Sequence, residues 1–305
     1  MSEKQSILDA IGKTTLLNID GIYVKCEFLN PSGSIKDRIA KYFIEKAEQN
    51  GQLRKGDTIV EASTGNTGTA LAMVGAAKGY KVIIYMARGF SRERYKMIKS
   101  FNAEIRLVPK NRTDIAVQKA RVLGSKPGYY NPDQFSNPWN VEEHENFTAQ
   151  EIIKQLDGNK IDAVVTGIGS GGTIVGLGRA FSKQNSAVQI FGVEPVECAM
   201  TYEHLHNMRE ECRPHRIEGI ADGFLPKIIY DNIKLLNGII RIDSSDAIQE
   251  ARRIAREHGC FVGICSGANL LAAKKVRAEN SQLKTIVTIF TDEGEKYLSE
   301  KWFVS

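Results

Sequence analysis

The feature that most limits what this chain can become is a regular alternation of short β-branched runs with helical patterns. The run "TIVEA" leads into "GNTGTALAMVGAAKG", "KVIIYM" into "SRERYKMIKSF", and "DAVVTG" into "GGTIVGLGRAF", after which "IFGVEP" follows. Towards the end come "ARRIAREHG", "ANLLAAKKV" and "KTIVTIF". Strands separated by helices do not pair as hairpins, so this order predicts a mostly parallel sheet with helices on both faces, an α/β architecture. Ligands of such sheets collect beyond the carboxyl ends of the strands. The 305 residues allow two domains or one large one. No repeat or low-complexity linker interrupts the pattern, and the polar residues 200–216 are the best candidate for a mobile surface segment.

Composition narrows the function classes. Apolar residues make up 42% and charged residues 25%, as in soluble globular proteins. No apolar run is long enough to span a bilayer, and "MSEKQSILDAIGK" has no basic-then-apolar signal pattern, so no membrane role is expected. The formal charge of +5 comes from scattered Lys and Arg, which is not a nucleic-acid footprint. The five cysteines, Cys26, Cys198, Cys212, Cys260 and Cys265, are odd in number and contain no C-x-x-C pair. That argues against a disulfide framework or a zinc site and for reduced thiols in the cytoplasm. The sequons at Asn111 and Asn146 are then idle. The five histidines lack metal-ligand spacing, no metal is expected, and His204 and His206 should face solvent.

Within "NPSGSIKDR", Ser34 can cap a helix and Asp37 completes an S-x-x-D capping box, after which Ile35, Ile39, Phe43 and Ala47 line one face. Lys36 then falls in the first turn, where the helix dipole disfavours a cation by about 0.3–1 kcal/mol. That penalty is small enough for a solvated surface lysine. It also suits an amine whose pKa is lowered for Schiff-base chemistry.

Two glycine-rich turns follow strand patterns. In "EASTGNTGTALA", four side-chain hydrogen-bonding groups crowd a helix start, a natural seat for a carboxylate, although a well-capped turn would look the same. In "GIGSGGT" the backbone can cradle a phosphate. The same stretch matches G-x-G-x-x-G through Gly167, Gly169 and Gly172, and Glu194 ends the next strand where a ribose-binding acid belongs. A nicotinamide-dependent oxidoreductase is therefore an alternative reading.

Taken together, "NPSGSIKDR", "EASTGNTGTALA", "SRERYKMIKSFNAE", "DQFSNPWN", "GIGSGGT", "IEGIADGF", "CSGAN" and "DEGEKYL" resemble the fold type II pyridoxal-phosphate enzymes, in the branch of cysteine synthase and the catalytic core of cystathionine β-synthase. The resemblance runs nearly end to end. It implies two three-layer αβα domains with the active site in the cleft between them. Residues 40–143 would form a small mobile domain carrying the substrate-carboxylate loop. Residues 1–39 plus 144–305 would form the large cofactor-binding domain. By this match Lys36 forms the internal aldimine with pyridoxal 5'-phosphate and removes the Cα proton. Asn66 would bind the ring oxygen, and Gly169, Ser170, Gly171, Gly172 and Thr173 the phosphate. Ser266 would face the pyridine nitrogen, and Ser63, Thr64, Thr67 and Gln134 would hold the substrate carboxylate. A neutral hydroxyl at the ring nitrogen makes a weaker electron sink than an Asp, which favours loss of a β leaving group through α-aminoacrylate. Two-fold homodimers are usual in the family. A regulatory tail and a haem segment, found in longer cystathionine β-synthases, are not expected here. Threonine-dehydratase relatives do not combine "STGNTG" with "DQFSNP", and Cys265 is expected to pack beside the cofactor.

One position departs from the pattern. Relatives often carry "GIGAGF" or "GIGYDF" where this chain has "GIADGF", placing Asp222 near the reacting carbon. A carboxylate there repels hydrosulfide and can take a proton from water. The favoured reading is a hydrogen-sulfide-producing lyase that converts L-cysteine and water to L-serine and H₂S, with Asp222 activating the water. The alternative is a cysteine synthase that makes cysteine from O-acetylserine and sulfide, with Asp222 capping a turn. A further alternative is a catalytically idle homologue acting as a binding partner.

Overall fold

The computed structural model describes residues 6–89, 91–209 and 211–304. The chain opens with the antiparallel pair β1 (Leu16–Ile19) and β2 (Ile22–Cys26), then α1 (Lys36–Gln49). Next come β3 (Thr58–Ala62), α2 (Asn66–Lys78), β4 (Lys81–Ala87), α3 (Arg92–Ser100), β5 (Glu104–Val108), α4 (Thr113–Gly124) and β6 (Tyr129–Tyr130). The short α5 (Trp139–Glu143) and α6 (Ala149–Gln155) return the chain to β7 (Ala163–Gly167), α7 (Gly172–Gln184) and β8 (Gln189–Pro195). Then follow α8 (Met200–His206), α9 (Lys227–Asn232), β9 (Gly238–Ile242), α10 (Ser244–His258), α11 (Ile264–Glu279), β10 (Ile286–Phe290) and α12 (Lys301–Val304).

Among the described residues the strands form two sheets, ordered β1-β2-β10-β7-β8-β9 and β5-β4-β3-β6. Every pairing except β1 with β2 is parallel. Side chains alternate between the two faces of a strand, and both faces are covered. In β10, Ile286 and Phe290 enter one core while Val287 and Ile289 enter the other. In the second sheet Ile59 and Ile84 face one core, and Val60 and Ile83 the opposite one. The outcome is two αβα units, as the resemblance implies. Helix α1 belongs to both: Ile35, just before it, packs in a core of the six-stranded unit, while its Ala40, Ile44 and Ala47 pack on the four-stranded one.

Two expectations need correction. The capping box of α1 does not form. The carboxylate of Asp37 turns back to accept from the Ser32 amide at 2.6 Å and from the Ser32 hydroxyl, and Ser34 Oγ accepts from the Lys36 amide at 3.3 Å. Gly33, at φ +73°, lets the chain fold back so that Ser32 reaches Asp37 first. The cysteines are not all reduced. Cys198 and Cys212 are bonded, because α8 and the residues after it loop back over the end of β8. Cys26, Cys260 and Cys265 are free and buried. His204 and His206 are exposed as expected, each against an aromatic ring, Tyr230 and Tyr202 respectively. No described helix is long and apolar enough to cross a membrane.

Candidate active site

The carboxyl ends of β3, β7 and β10 and the start of α1 converge on two adjoining recesses of about 370 and 510 Å³ of open space. Lys36, Ser170, Gly219 and Thr291 line both. Lys36 is held at the junction of the two sheets because the Ile35 amide donates to Thr291 O at 3.0 Å and Ser34 bridges to Asp292. Burial pushes the Lys36 ammonium below its usual pKa, opposed by the charges of Asp222 and Asp292. A lysine with fewer protons than usual is a better nucleophile.

The smaller recess is walled by Gly169, Ser170, Gly171 and Thr173, ahead of α7. Gly171 sits at φ +90°, and a Cβ on Gly169 would come within 2.5 Å of Gly219 O, so both positions need glycine. Asn140, fully buried, donates to Ser170 Oγ at 2.9 Å and to Gln134 O at 2.8 Å, tying this loop to the other sheet's loops. Thr173 Oγ1 lies 3.3 Å from the buried His144 ring.

The larger recess collects Ser63, Thr64, Asn66, Thr67, Gln134 and Asp222. Ser63 Oγ accepts from the amides of Gly65 and Gly68, which fixes the turn into α2. Thr67 Oγ1 donates to Gln134 Oε1 at 2.7 Å. Asn66 Nδ2 donates to Asp292 at 2.8 Å, while its Oδ1 is buried without a partner. Asp222 follows Ala221, a non-glycine residue at φ +54°. That conformation costs on the order of 1–3 kcal/mol and persists only where neighbours impose it. Here the Ala221 amide donates to Ile168 O at 3.0 Å, and Ala221 O lies 3.0 Å from His215 Nε2. Burial raises the Asp222 pKa, with His215 and Lys36 pulling it back.

Of the residues assigned to the cofactor, the substrate carboxylate and the water, all but Gly172 and Ser266 line these recesses. Gly172 begins α7 against Asn140, and Ser266 is buried in the first turn of α11, its hydroxyl accepting from the Thr291 amide at 3.0 Å. Glu194 is not available to a ribose. It is buried, and its carboxylate accepts from the amides of Thr201 and Tyr202 at 3.0–3.1 Å, capping α8. Arg94, Thr113 and Thr291 also line the site and were not singled out. Arg94 lies inside the quoted "SRERYKMIKSFNAE", but beside Arg92, Glu93 and Lys96 it reads as one more charge on a solvated helix face.

Comparison with known proteins gives a consistent picture. Residues 7–292 match the family model described as "Pyridoxal-phosphate dependent enzyme". Over 283 residues the chain is 40% identical to a cysteine synthase of Staphylococcus aureus, covering 92% of this chain and 89% of that protein. An O-acetylserine dependent cystathionine beta-synthase from Helicobacter pylori superposes with a TM-score of 0.91 at 32% identity, covering 100% of both chains. A hydrogen sulfide-producing enzyme from Fusobacterium nucleatum superposes with a TM-score of 0.89 at 35% identity, covering 97% of this chain and 90% of that one. The cleft fits pyridoxal phosphate: it offers a half-buried amine with a lowered pKa, a glycine cradle ahead of α7, and an unpartnered amide oxygen on Asn66.

Proposed function

The chain belongs to the family of pyridoxal-phosphate dependent enzymes, and on that premise we propose that it converts L-cysteine and water to L-serine and hydrogen sulfide. The observation that carries this reading is the placement of Asp222 in the same recess as Lys36, buried enough for its pKa to rise. When bound, pyridoxal phosphate supplies the electron sink that allows a Cα proton and then a β substituent to leave. Lys36 would hold it through the amine and would take the Cα proton, and the loop of Gly169, Ser170, Gly171, Gly172 and Thr173 would hold the phosphate. Asn66 would hydrogen-bond the ring oxygen, and the Ser266 hydroxyl would face the ring nitrogen. Ser63, Thr64, Thr67 and Gln134 bind the substrate carboxylate, and residues 40–143 then close over the remainder, residues 1–39 and 144–305, excluding bulk water.

Asp222 selects the nucleophile. A carboxylate facing the cleft repels the hydrosulfide anion and accepts a proton from neutral water, and a raised pKa makes it a better base near neutral pH. That a structural neighbour is a hydrogen sulfide-producing enzyme supports this choice. The second reading, cysteine synthesis from O-acetylserine and sulfide, is favoured by the cysteine synthase relative. The experiment is to supply L-cysteine to the holoenzyme and follow sulfide and serine, then repeat with Asp222→Asn. Serine formation is expected to fall about 10²-fold, the scale of general-base catalysis. Undiminished serine formation would discard the water-base role. A larger kcat/KM for O-acetylserine plus sulfide than for cysteine would favour the synthase. We also propose that the working enzyme is a cytoplasmic homodimer, for which light scattering and cell fractionation are the checks.

A further inference from the structure

Helix α3 packs with the four-stranded unit, where its Ile98 is fully buried. Arg94, in its first turn, leaves that unit. Its side chain crosses Gly65, where any Cβ would collide with it, and only 2% of it is exposed. The guanidinium donates to Tyr297 Oη at 2.6 Å and to Asp292 Oδ2 at 3.4 Å, pairs with Glu218, and lies 4.6 Å from the centre of the Tyr297 ring. All three partners follow β8 in the chain and pack with the six-stranded unit. None of the three lines the recesses, but each is linked to residues that do. Asp292 accepts from Asn66 Nδ2 at 2.8 Å, Glu218 directly precedes Gly219 and lies four residues before Asp222, and Tyr297 Oη donates to Asp292 at 3.0 Å.

A buried cation is tolerated when its partners are in place and costly when they are not. Separating the two units would leave Arg94 on one side and two carboxylates on the other. Crossing Gly65, the same side chain also registers the position of the loop proposed to bind the substrate carboxylate.

We propose that Arg94 is a positioning residue that latches the two units together, so that ordering of the carboxylate loop around Gly65 and ordering of residues 218–222 occur as one event. The latch rests on closure of the cleft over the substrate and not on water being the nucleophile. Lysine at this position keeps the charge but has no fork to reach three partners.

The test uses holoenzyme of Arg94→Lys, Glu218→Gln and the double variant. The readout is the change in cofactor absorbance on mixing with L-cysteine, a step before any nucleophile is chosen. Arg94→Lys is expected to retain cofactor and its resting spectrum, to slow this change at least about tenfold, and to raise KM. The double variant is expected to be no slower than the slower single variant, since both remove one link. The latch is overturned by an Arg94→Lys rate within twofold of the parent, including the case where only the melting temperature falls. It is also overturned if the two losses multiply. Should Glu218→Gln fail to fold, Glu218→Asp, which shortens the reach by one methylene, takes its place in the cycle with the same expectation. A failure of the Asp222 reading would leave these absorbance rates unchanged.

Discussion

Glu61 ends β3 with 2% of its surface exposed, and its carboxylate accepts from the Ala62 amide at 2.7 Å and the Gln134 amide at 3.1 Å. Burial, reinforced by Asp133, lifts its pKa from 4.5 to about 8. The folded state therefore holds a proton that the unfolded chain releases near pH 4.5, and stability should fall as pH rises from about 4.5 to 8. The slope approaches about 1.4 kcal/mol per pH unit, on the order of 3–5 kcal/mol across the window. Glu61→Gln should flatten that dependence in denaturation curves taken from pH 5 to 8, and an unchanged slope would remove Glu61 as its source. The sequence exposes this residue only as the end of an apolar run; that it holds Gln134, 73 positions on, is visible only once the chain is folded. Lys36, Asn66 and Gly169 were legible because each sits in a stretch whose residue types are constrained by local turn geometry. Arg94 was not, since its partners lie 124 to 203 positions away and nothing in its own helix marks it. The capping box at Ser34 failed for the converse reason: a local rule lost to Ser32, which sits closer to Asp37 once the chain turns at Gly33.

Elements were most legible where they are fully buried. The runs "KVIIYM", "DAVVTG", "IFGVEP" and "KTIVTIF" became β4, β7, β8 and β10, whose continuous apolar character reflects burial on both faces. The edge strands β1, β5, β6 and β9 carry more polar residues or are very short, so periodicity did not announce them. Residues 200–216 are the instructive case. Polarity suggested a loose segment, yet its first part is α8, capped by Glu194, and its far end is tied back at Cys212 and through the Arg213 amide to Glu197 O at 2.9 Å. His215 from the same strap meets Ala221 O beside Asp222. Closing a loop of 14 residues stabilises a protein by roughly 3 kcal/mol in the chain-entropy account. Cys212→Ser should therefore lower unfolding free energy by about 2–3 kcal/mol and speed proteolysis within residues 200–216. Dithiothreitol should do the same to the parent protein and nothing further to the variant. Equal stability and equal cleavage in both proteins would mean that the bridge does not hold the strap.

At the scale of the molecule, the two units contribute different things to one cleft. Lys36, the glycine loop before α7, Thr291 and Ser266 come with the six-stranded unit, whereas Ser63, Thr64, Asn66, Thr67 and Gln134 come with the four-stranded one. Apart from Asn66, the proposed cofactor ligands are thus concentrated on one unit and the proposed carboxylate seat on the other, with α1 running between them. This division has a thermodynamic consequence. A ligand that binds the folded protein alone stabilises it by about 2.7 kcal/mol at a hundred times its Kd and about 4.1 kcal/mol at a thousand times. Stripping pyridoxal phosphate should lower the melting temperature by several degrees and speed amide exchange chiefly at residues 167–173 and 219–222 and at Asn66, leaving 63–65, 67 and 134 less changed. Adding L-serine, which brings the carboxylate of the proposed product, to the holoenzyme should then slow exchange at 63–67 and 134. Hydrogen exchange of apoenzyme, holoenzyme and serine-bound holoenzyme checks this. Uniform protection of both units by the cofactor alone would contradict the division, because it would mean that the cleft is already closed before any substrate carboxylate arrives.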